Sequence, residues 1–374
     1  MSRTMNLTSK LYQPAVVERI AATDWSAGNS GPLVVELDPT AACDLACPGC
    51  ISEDLITLGG RFSDQRLLEL GNEFIESGVN AVILIGGGEP LAHPKIGDFI
   101  NLLGENNVHV GITTNGTFIH RYLDAIARYS QWTRISMDAA TQELFDILRP
   151  AKQKKSKFQR VIDNIEMLAK VKQGKLGYSY LIQTEADGAG IVSNVHEIYD
   201  AAVLARELGC DYFEVKPTYQ FREDVPHALM KHDEAPMARA REEIERLGEL
   251  ETDSFKVLKA INLEYSLSGL DTPQLKDYKH CPSTHLRTTI TPSGAYVCPY
   301  WRGKQPMKIG DVNETSFSDM WNSEQRREAM QQLDAARDCN FHCLRHNTNL
   351  ASLEIKDALA NGGVETVEEF DRFI

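Results

Sequence analysis

Short runs of β-branched and aliphatic residues alternate with amphipathic helical stretches from residue 32 onward. Two of these stretches, DQRLLELGNEFIESG (64–78) and VHEIYDAAVLARELG (195–209), space their apolar residues as one helix face does. A strand followed by a helix, repeated along the chain, predicts a parallel sheet with right-handed crossovers. Six units are about three quarters of an eight-unit barrel, so the pattern predicts an α/β fold, a partial (β/α)6 barrel that is open along one side. The predicted strands are residues 32–38, 81–86, 108–114, 133–138, 176–183 and 212–217.

The pattern changes after the sixth unit. Residues 226–280 are rich in Ala, Arg, Glu and Leu and predict a helix with a linker. The later run RTTITPSGAYVCPY (287–300) predicts a β-hairpin with its turn at Pro-Ser-Gly, and short helices follow it. We therefore expect four parts, which are an N-terminal extension (1–31), the barrel (32–225), a helical linker (226–280) and a small C-terminal α+β domain (281–374).

The charge and hydropathy of the chain argue against several kinds of partner. With 39 Lys and Arg against 53 Asp and Glu, the formal charge is −14, which disfavours nucleic acid and anionic membrane surfaces. No apolar run approaches the roughly 18 residues that span a bilayer, and the N-terminal MSRTMNLTSK lacks the apolar core of a signal peptide. We therefore expect a cytoplasmic protein that acts on a small molecule or a peptide. In a reducing compartment, its eight cysteines favour metal or redox chemistry over disulfides.

Three of these cysteines lie within the eight residues CDLACPGC (43–50). Cys43, Cys47 and Cys50 follow the first predicted strand, at the edge of the sheet where such folds place their chemistry. Structural zinc usually has four ligands in two pairs, whereas three thiolates without a fourth nearby suggest an open coordination site. In a cluster of four irons, three thiolates leave one iron free for another ligand. Buried structural cysteines, or a zinc site completed by a distant histidine, are the alternatives.

A second candidate feature, GGGEP (86–90), follows the second predicted strand. Glycines there let the backbone pass close to a ligand, and Glu89 can accept from an ammonium group. A plain tight turn is the alternative, just as Asp138 can instead cap the following helix. Polar side chains at the ends of the third, fourth and fifth predicted strands are expected to line the same pocket. They are Thr113, Thr114, Asn115, Ser136, Asp138 and Gln183.

Four further cysteines lie beyond the barrel, at Cys281, Cys298, Cys339 and Cys343. Four thiolates are a complete ligand set for a tetrahedral metal or a cubane cluster. The first two bracket the predicted hairpin, which returns its ends to one place, and the last two form a CX3C pair. Structural zinc is the alternative to a cluster.

The sixth predicted strand carries candidates of its own. Cys210 lies at its amino end, far from the reactive edge, and we interpret it as a packed apolar residue. Lys216 and Tyr219 lie at the other end and are candidate substrate contacts. Three histidines near the second cysteine group are ordinary residues in our interpretation, with metal ligation as the alternative. They are His285, His342 and His346.

The CX3CX2C loop after the first strand, GGGEP after the second and the six-unit barrel together resemble the radical S-adenosylmethionine (SAM) enzymes, over residues 32–220. This resemblance implies that Cys43, Cys47 and Cys50 hold a [4Fe–4S] cluster whose fourth iron is chelated by the amino and carboxylate groups of SAM. It also implies that reduction of the cluster releases a 5′-deoxyadenosyl radical, which abstracts hydrogen from the substrate. The residues expected to contact SAM are Gly87, Gly88, Glu89, Asn115, Ser136, Arg149 and Gln183.

The runs CPSTHLRTTITPSGAYVCPYW and DCNFHC resemble the SPASM/twitch extension of this family. Fuller versions of the extension bind two auxiliary clusters. The four cysteines here imply the shorter twitch form, with a single auxiliary [4Fe–4S] cluster. A cluster held by all four cysteines cannot chelate substrate, so the resemblance implies a role in electron transfer.

A radical SAM oxidoreductase is the activity that the resemblance implies, with the auxiliary cluster accepting an electron and an external donor such as flavodoxin or ferredoxin. Similar short twitch enzymes act on aminocyclitols and sugars. Peptide-modifying members of the family usually carry a leader-recognition domain. The residues before the first strand are too few for one, so we expect a small polar substrate. A redox-neutral sugar epimerase or dehydratase is one alternative, and a peptide-modifying maturase with a separate recognition protein is another. A non-catalytic iron–sulfur or zinc-binding module is the remaining alternative, but it would not explain the GGGEP motif.

Overall fold

The computed structural model of this protein describes residues 6–184, 192–220, 228–229, 233–268 and 274–374. Ten strands of the described residues form one sheet, and two others pair only with each other. The strands are β1 (Val34–Leu37), β2 (Ala81–Leu84), β3 (His109–Thr114), β4 (Ser130–Ser136), β5 (Lys175–Ile182), β6 (Tyr212–Pro217), β7 (Tyr219–Gln220), β8 (Ala228–Leu229), β9 (Lys256–Lys259), β10 (Arg287–Thr291), β11 (Gly294–Tyr296) and β12 (Lys308–Gly310).

Helices connect most of these strands and follow the C-terminal hairpin. They are α1 (Pro14–Ala22), α2 (Glu53–Leu58), α3 (Asp64–Glu76), α4 (Ile96–Glu105), α5 (Leu123–Tyr129), α6 (Gln142–Leu148), α7 (Phe158–Val171), α8 (Ile198–Glu207), α9 (Glu234–Arg246), α10 (Leu263–Leu267), α11 (Ser283–Leu286), α12 (Phe317–Trp321), α13 (Glu324–Gln332), α14 (Ala335–Asp338) and α15 (His346–Asn361). In the described part of the chain, none of them is long and apolar enough to cross a membrane.

The six predicted strand–helix units are present. Strands β1 to β6 lie side by side in chain order, and every adjacent pair is parallel. The amphipathic helices cover the sheet, and Phe74 of α3 belongs to the same fully buried apolar core as Val35 of β1. The prediction of a partial (β/α)6 barrel is therefore confirmed, although β4 begins at Ser130 rather than at residue 133.

Two further parallel strands widen the sheet beyond the six units. Tyr212 of β6 faces Lys256 of β9, and Val34 of β1 faces Arg287 of β10. Residues 226–280, predicted as helix and linker, contain α9 and α10 but also β8 and β9, which the sequence did not predict. The sequence of β9, KVLK, has two apolar residues between lysines, so it carries no strand pattern of useful length. Among the described residues, eight adjacent strands are thus parallel.

The C-terminal hairpin forms as predicted. Strands β10 and β11 are antiparallel, with Thr291 facing Gly294 across the turn, and β12 pairs with β11. Because β10 also pairs with β1, this hairpin continues the barrel sheet. The buried Arg287 of β10 forms an ion pair with the buried Glu36 of β1.

The last residues of the chain pack beneath the barrel. The ring of Phe373 meets that of Trp132, at the start of β4, with 5.4 Å between centroids. Lys10 Nζ donates to Phe373 O at 3.0 Å, and Arg287 donates to the Ile374 carbonyl oxygen. Phe373 and Ile374 are both buried, so this segment covers the amino-terminal end of the sheet.

Candidate active site

The first cysteine loop leaves the carboxyl end of β1, as the sequence predicts. Cys43, Cys47 and Cys50 lie between β1 and α2 and are free thiols. Asn115, directly after β3, donates from Nδ2 to Asp44 Oδ1 at 3.0 Å, and the same nitrogen lies 3.8 Å from the Cys43 sulfur. The end of β3 therefore helps to orient the cysteine loop.

Burial sets the protonation state of two of these thiols. It raises the pKa of Cys43 to about 12, and the nearby Glu89 carboxylate acts in the same direction. Burial also raises the pKa of Cys47, against the opposing effect of the Arg149 guanidinium. Both thiols are therefore neutral near pH 7 in the metal-free chain, and metal binding has to displace their protons.

The glycine loop at residues 86–89 packs directly against the cysteine loop. Gly87 N donates to Asp38 Oδ2 at 2.5 Å, and Gly88 lies against the Ala42 backbone. A Cβ atom on Gly88 would overlap the Ala42 carbonyl oxygen, and a Cβ atom on Gly87 would overlap the Asp38 carboxylate. Glycine is therefore required here by the close approach of two loops, whether or not a ligand is bound.

Glu89 is buried and ties the glycine loop to the end of β3. Its Oε1 accepts from Leu91 N at 3.0 Å and from Thr114 Oγ1 at 2.5 Å, while its Oε2 accepts from Asn115 N at 2.7 Å. Burial raises the pKa of Glu89 to about 7, although these donors favour the carboxylate. Its contact with an ammonium group stays a prediction.

Asp138 binds an arginine and does not cap the next helix. Its carboxylate accepts from Leu181 N at 2.8 Å and forms an ion pair with Arg149. Helix α6 is capped instead by Thr141, whose side chain accepts from a backbone N–H in the first turn. The capping alternative for Asp138 is therefore wrong, and its positive φ of 59° places it in a backbone conformation that non-glycine residues rarely adopt.

The second cysteine group lies where loops from four elements meet. Asn349 Nδ2 donates to the Cys281 sulfur at 3.2 Å, and Arg345 N donates to the Cys343 sulfur at 3.3 Å. Burial, reinforced by the neighbouring thiols, raises the pKa of Cys281 to about 12. The four positions are Cys281 before α11, Cys298 after β11, Cys339 after α14 and Cys343 before α15.

Both cysteine groups face one cavity of about 1670 Å³. Every residue that the sequence assigns to cofactor or substrate lines it, including those whose roles rest on resemblance. The lining includes Cys43, Cys47, Cys50, Gly87, Gly88, Glu89, Asn115, Ser136, Arg149, Gln183, Lys216, Tyr219, Cys281, Cys298, Cys339 and Cys343. The fold thus brings together in one cavity candidate residues that are far apart in the sequence.

The remaining candidates lie elsewhere. Cys210 is buried in the apolar core, as predicted. His285 Nε2 lies 3.1 Å from Trp25 O, and His346 Nδ1 lies 3.1 Å from Tyr278 Oη. Among the residues that the structure describes, no three His, Cys, Asp or Glu side chains converge as ligands of a single metal ion do.

Two family models match this chain, one on each side of the linker. The model described as radical SAM superfamily matches residues 37–188, and the SPASM model, described as an iron–sulfur cluster-binding domain, matches residues 281–344. The protein is a radical SAM enzyme. The two matches together cover more than half of the chain, and each contains one of the cysteine groups.

Relatives of this radical SAM enzyme include proteins named as maturases. It is 24% identical to mycofactocin maturase MftC of Mycobacterium ulcerans over 299 residues, 79% of this chain and 75% of the relative. It is 25% identical to the subtilosin biosynthesis protein AlbA of Bacillus subtilis over 185 residues, 49% of this chain and 38% of AlbA. The structure of SuiB from Streptococcus suis bound to precursor peptide SuiA has a TM-score of 0.59 at 17% identity, covering 85% of this chain and 71% of SuiB.

The cofactors of this radical SAM enzyme are SAM and [4Fe–4S] clusters, and the cysteine sites fit them. N–H groups are directed at the sulfurs of Cys281 and Cys343, as they are at cluster thiolates. Arg149 Nε and Arg345 Nη1 are each buried without a hydrogen-bond partner among the described residues. A guanidinium thus lies near each cysteine group and favours an anionic cluster there, and Arg149 does so in addition to its ion pair with Asp138.

Sequence reasoning misses several residues of the cavity wall. Arg134 and Glu214 point into it from β4 and β6, and Asn262 reaches it from the turn after β9. A charged residue inside a predicted strand is a usable signal, because buried charges need a reason to be buried. Asn262 carries no such signal, since the strand before it has no recognisable pattern.

Proposed function

We propose that this radical SAM enzyme modifies a residue of a peptide, as an oxidative maturase. The observation that carries the proposal is that MftC, a relative matched over 79% of this chain, is named as a maturase. SuiB, which shares the fold, is bound to a precursor peptide. These relatives favour the peptide alternative over the small polar substrate that the sequence resemblance suggested.

We assign the cofactor sites from the sequence motifs and from the cavity. Cys43, Cys47 and Cys50 would hold the SAM-binding [4Fe–4S] cluster, and the second cysteine group would hold one auxiliary cluster. When bound and reduced, SAM and its cluster supply a 5′-deoxyadenosyl radical that abstracts hydrogen, and the auxiliary cluster supplies an electron acceptor. The residues proposed to surround SAM are Gly87, Gly88, Glu89, Asn115, Ser136, Arg149 and Gln183.

The chain itself holds these groups in position. Asn115 donates to Asp44 while its own backbone N–H binds Glu89, so the cysteine loop, the glycine loop and the end of β3 form one hydrogen-bonded unit. Buried side chains with few alternative partners keep such a site in a fixed geometry. Lys216 and Tyr219, which line the same cavity, are the proposed substrate contacts.

The cavity is large because it is continuous through the barrel. Its volume of about 1670 Å³ includes the space beside both cysteine groups and extends to His109 and Phe373 at the amino-terminal end of the sheet. An external donor such as flavodoxin or ferredoxin, and a cytoplasmic location, stay predictions.

Turnover with matched substrate classes tests the proposal. The anaerobically reconstituted, dithionite-reduced enzyme is incubated with SAM and either a pool of short peptides that contains all residue types, or a pool of sugars and aminocyclitols. We expect the peptides alone to raise 5′-deoxyadenosine release above the rate without substrate, and to lose two hydrogens by mass spectrometry. Stimulation by the sugar pool alone would contradict the peptide proposal. A product of unchanged mass would favour the redox-neutral alternative.

A further inference from the structure

The inner wall of the barrel carries more positive than negative charge at one place. Arg134 Nη1 of β4 lies 3.0 Å from Glu214 Oε2 of β6, and Lys216 Nζ lies 3.5 Å from the same oxygen. Two cations therefore share one carboxylate. This local excess is opposite in sign to the formal charge of −14 on the whole chain.

The environment of Lys216 leaves its charge incompletely balanced, because it shares Glu214 with Arg134. Burial lowers the pKa of Lys216 to about 8, and Arg134 acts in the same direction. The carboxylates of Glu214 and Asp138 oppose this effect without cancelling it. A partly buried ammonium with a lowered pKa gains stability when a second carboxylate approaches it.

Asn262 adds a neutral donor to the same wall. Ala260 N donates to Val215 O at 3.1 Å, so the chain after β9 runs alongside the end of β6, where Lys216 lies. Asn262 is 4% exposed and lines the cavity, and its Nδ2 has no hydrogen-bond partner among the described residues. A buried amide donor without a partner, on a residue of the cavity wall, indicates a missing acceptor beside that wall.

We propose that Lys216 and Asn262 bind a carboxylate of the substrate, an inference that rests on the proposed peptide-modifying function. A carboxylate satisfies both observations at once, because it neutralises the ammonium and accepts from the amide. The group is either an acidic side chain or the carboxyl end of the peptide.

Binding of small model compounds can show whether the carboxylate belongs to an acidic side chain or to the carboxyl end of the peptide. The holoenzyme, with clusters oxidised and SAM bound, is titrated by calorimetry with three compounds. N-acetylalanine carries a chain-end carboxylate, N-acetylaspartate α-amide carries a side-chain carboxylate, and N-acetylalanine amide carries neither. We expect at least one acid to bind about tenfold more tightly than the amide, and the tighter acid identifies the source.

Two variants test the residues themselves. In Lys216→Met we expect the acid to bind no more tightly than the amide, because the methionine keeps the length of the stem without the charge. In Asn262→Asp we expect a similar loss, because a second carboxylate repels the ligand while the shape is kept. Lys170→Met is the control, since Lys170 is exposed on α7 and is not part of the cavity wall, and its affinities should match the unsubstituted enzyme.

Three results would overturn the inference. They are equal affinity for acid and amide, no binding of either up to the solubility limit, and discrimination that persists in Lys216→Met. The affinity for SAM is measured in parallel, because a loss of SAM binding in Lys216→Met would assign the lysine to the cofactor carboxylate instead. Failure here leaves the peptide proposal standing if peptides still stimulate 5′-deoxyadenosine release, so the two proposals fail separately.

Discussion

At the scale of single residues, the contact between the glycine loop and the cysteine loop sets the strictest requirement. A Cβ atom on Gly88 would overlap backbone atoms of Ala41 and Ala42, which cannot move without shifting the first cysteine loop. We expect Gly88→Ala to lower the free energy of unfolding by about 1–3 kcal/mol and to weaken SAM binding. Gly248→Ala is the control, because a Cβ atom on Gly248 would meet nothing within 4 Å. Equal melting temperatures for the two variants would contradict this account.

A single histidine should make the protein sensitive to acid. Burial, with the nearby Arg326 guanidinium, lowers the pKa of His285 to about 3. The unfolded chain binds a proton near pH 6.5 and the folded chain does not, so this contribution to stability is complete above pH 6.5 and is lost as the pH falls towards 3. The loss amounts to about 1.4 kcal/mol per pH unit.

Denaturant unfolding at several pH values measures this effect. In His285→Gln the amide can still donate to Trp25 O but does not titrate, so its stability should fall less steeply between pH 6 and pH 4. An unchanged slope would show that other groups carry the acid sensitivity.

At the scale of elements, the sequence predicts what is local and misses what depends on distant pairing. The six barrel strands and the hairpin turn at Pro292 are readable because each has its own hydrophobic pattern and turn residues. The sequence of β10 does not indicate that it pairs with Val34 of β1, because pairing between strands that are distant in the chain produces no local sequence pattern. Strand β9 could not be predicted for the same reason, because its four residues form a strand by pairing with β6.

The pairing of β1 with β10 also leads to a prediction about the stability of the fold. Arg287→Met would leave Glu36 as an unpaired buried carboxylate, and we expect a loss of about 3–5 kcal/mol in the free energy of unfolding. The double variant Glu36→Gln with Arg287→Met removes both charges and should recover the part of the loss that comes from the unpaired carboxylate, but not the hydrogen bond from Arg287 to Ile374 O. Urea unfolding of the single and double variants measures both effects. A double variant no more stable than the single one would contradict the ion-pair account.

At the scale of the whole molecule, one sheet positions both cysteine groups. Strand β1 leads into the loop of Cys43, and β10 beside it leads through β11 to Cys298. The two matched domains therefore share a continuous sheet. The sequence could place all seven candidate ligands in two sets, but only this pairing explains why both sets face one cavity.

The two sets should nevertheless bind metal independently, because they are carried on different loops and share no cysteine. We expect the variant with Cys43, Cys47 and Cys50 all changed to alanine to retain about four irons per chain after anaerobic reconstitution, half of the roughly eight of two cubanes. Its remaining cluster should give an electron paramagnetic resonance signal on reduction. The matched variant, with Cys281, Cys298, Cys339 and Cys343 changed to alanine, should also retain about four irons and still bind SAM. Zinc, or no iron, in the first variant would contradict an auxiliary cluster and favour a redox-neutral reaction, since the second site would then accept no electron.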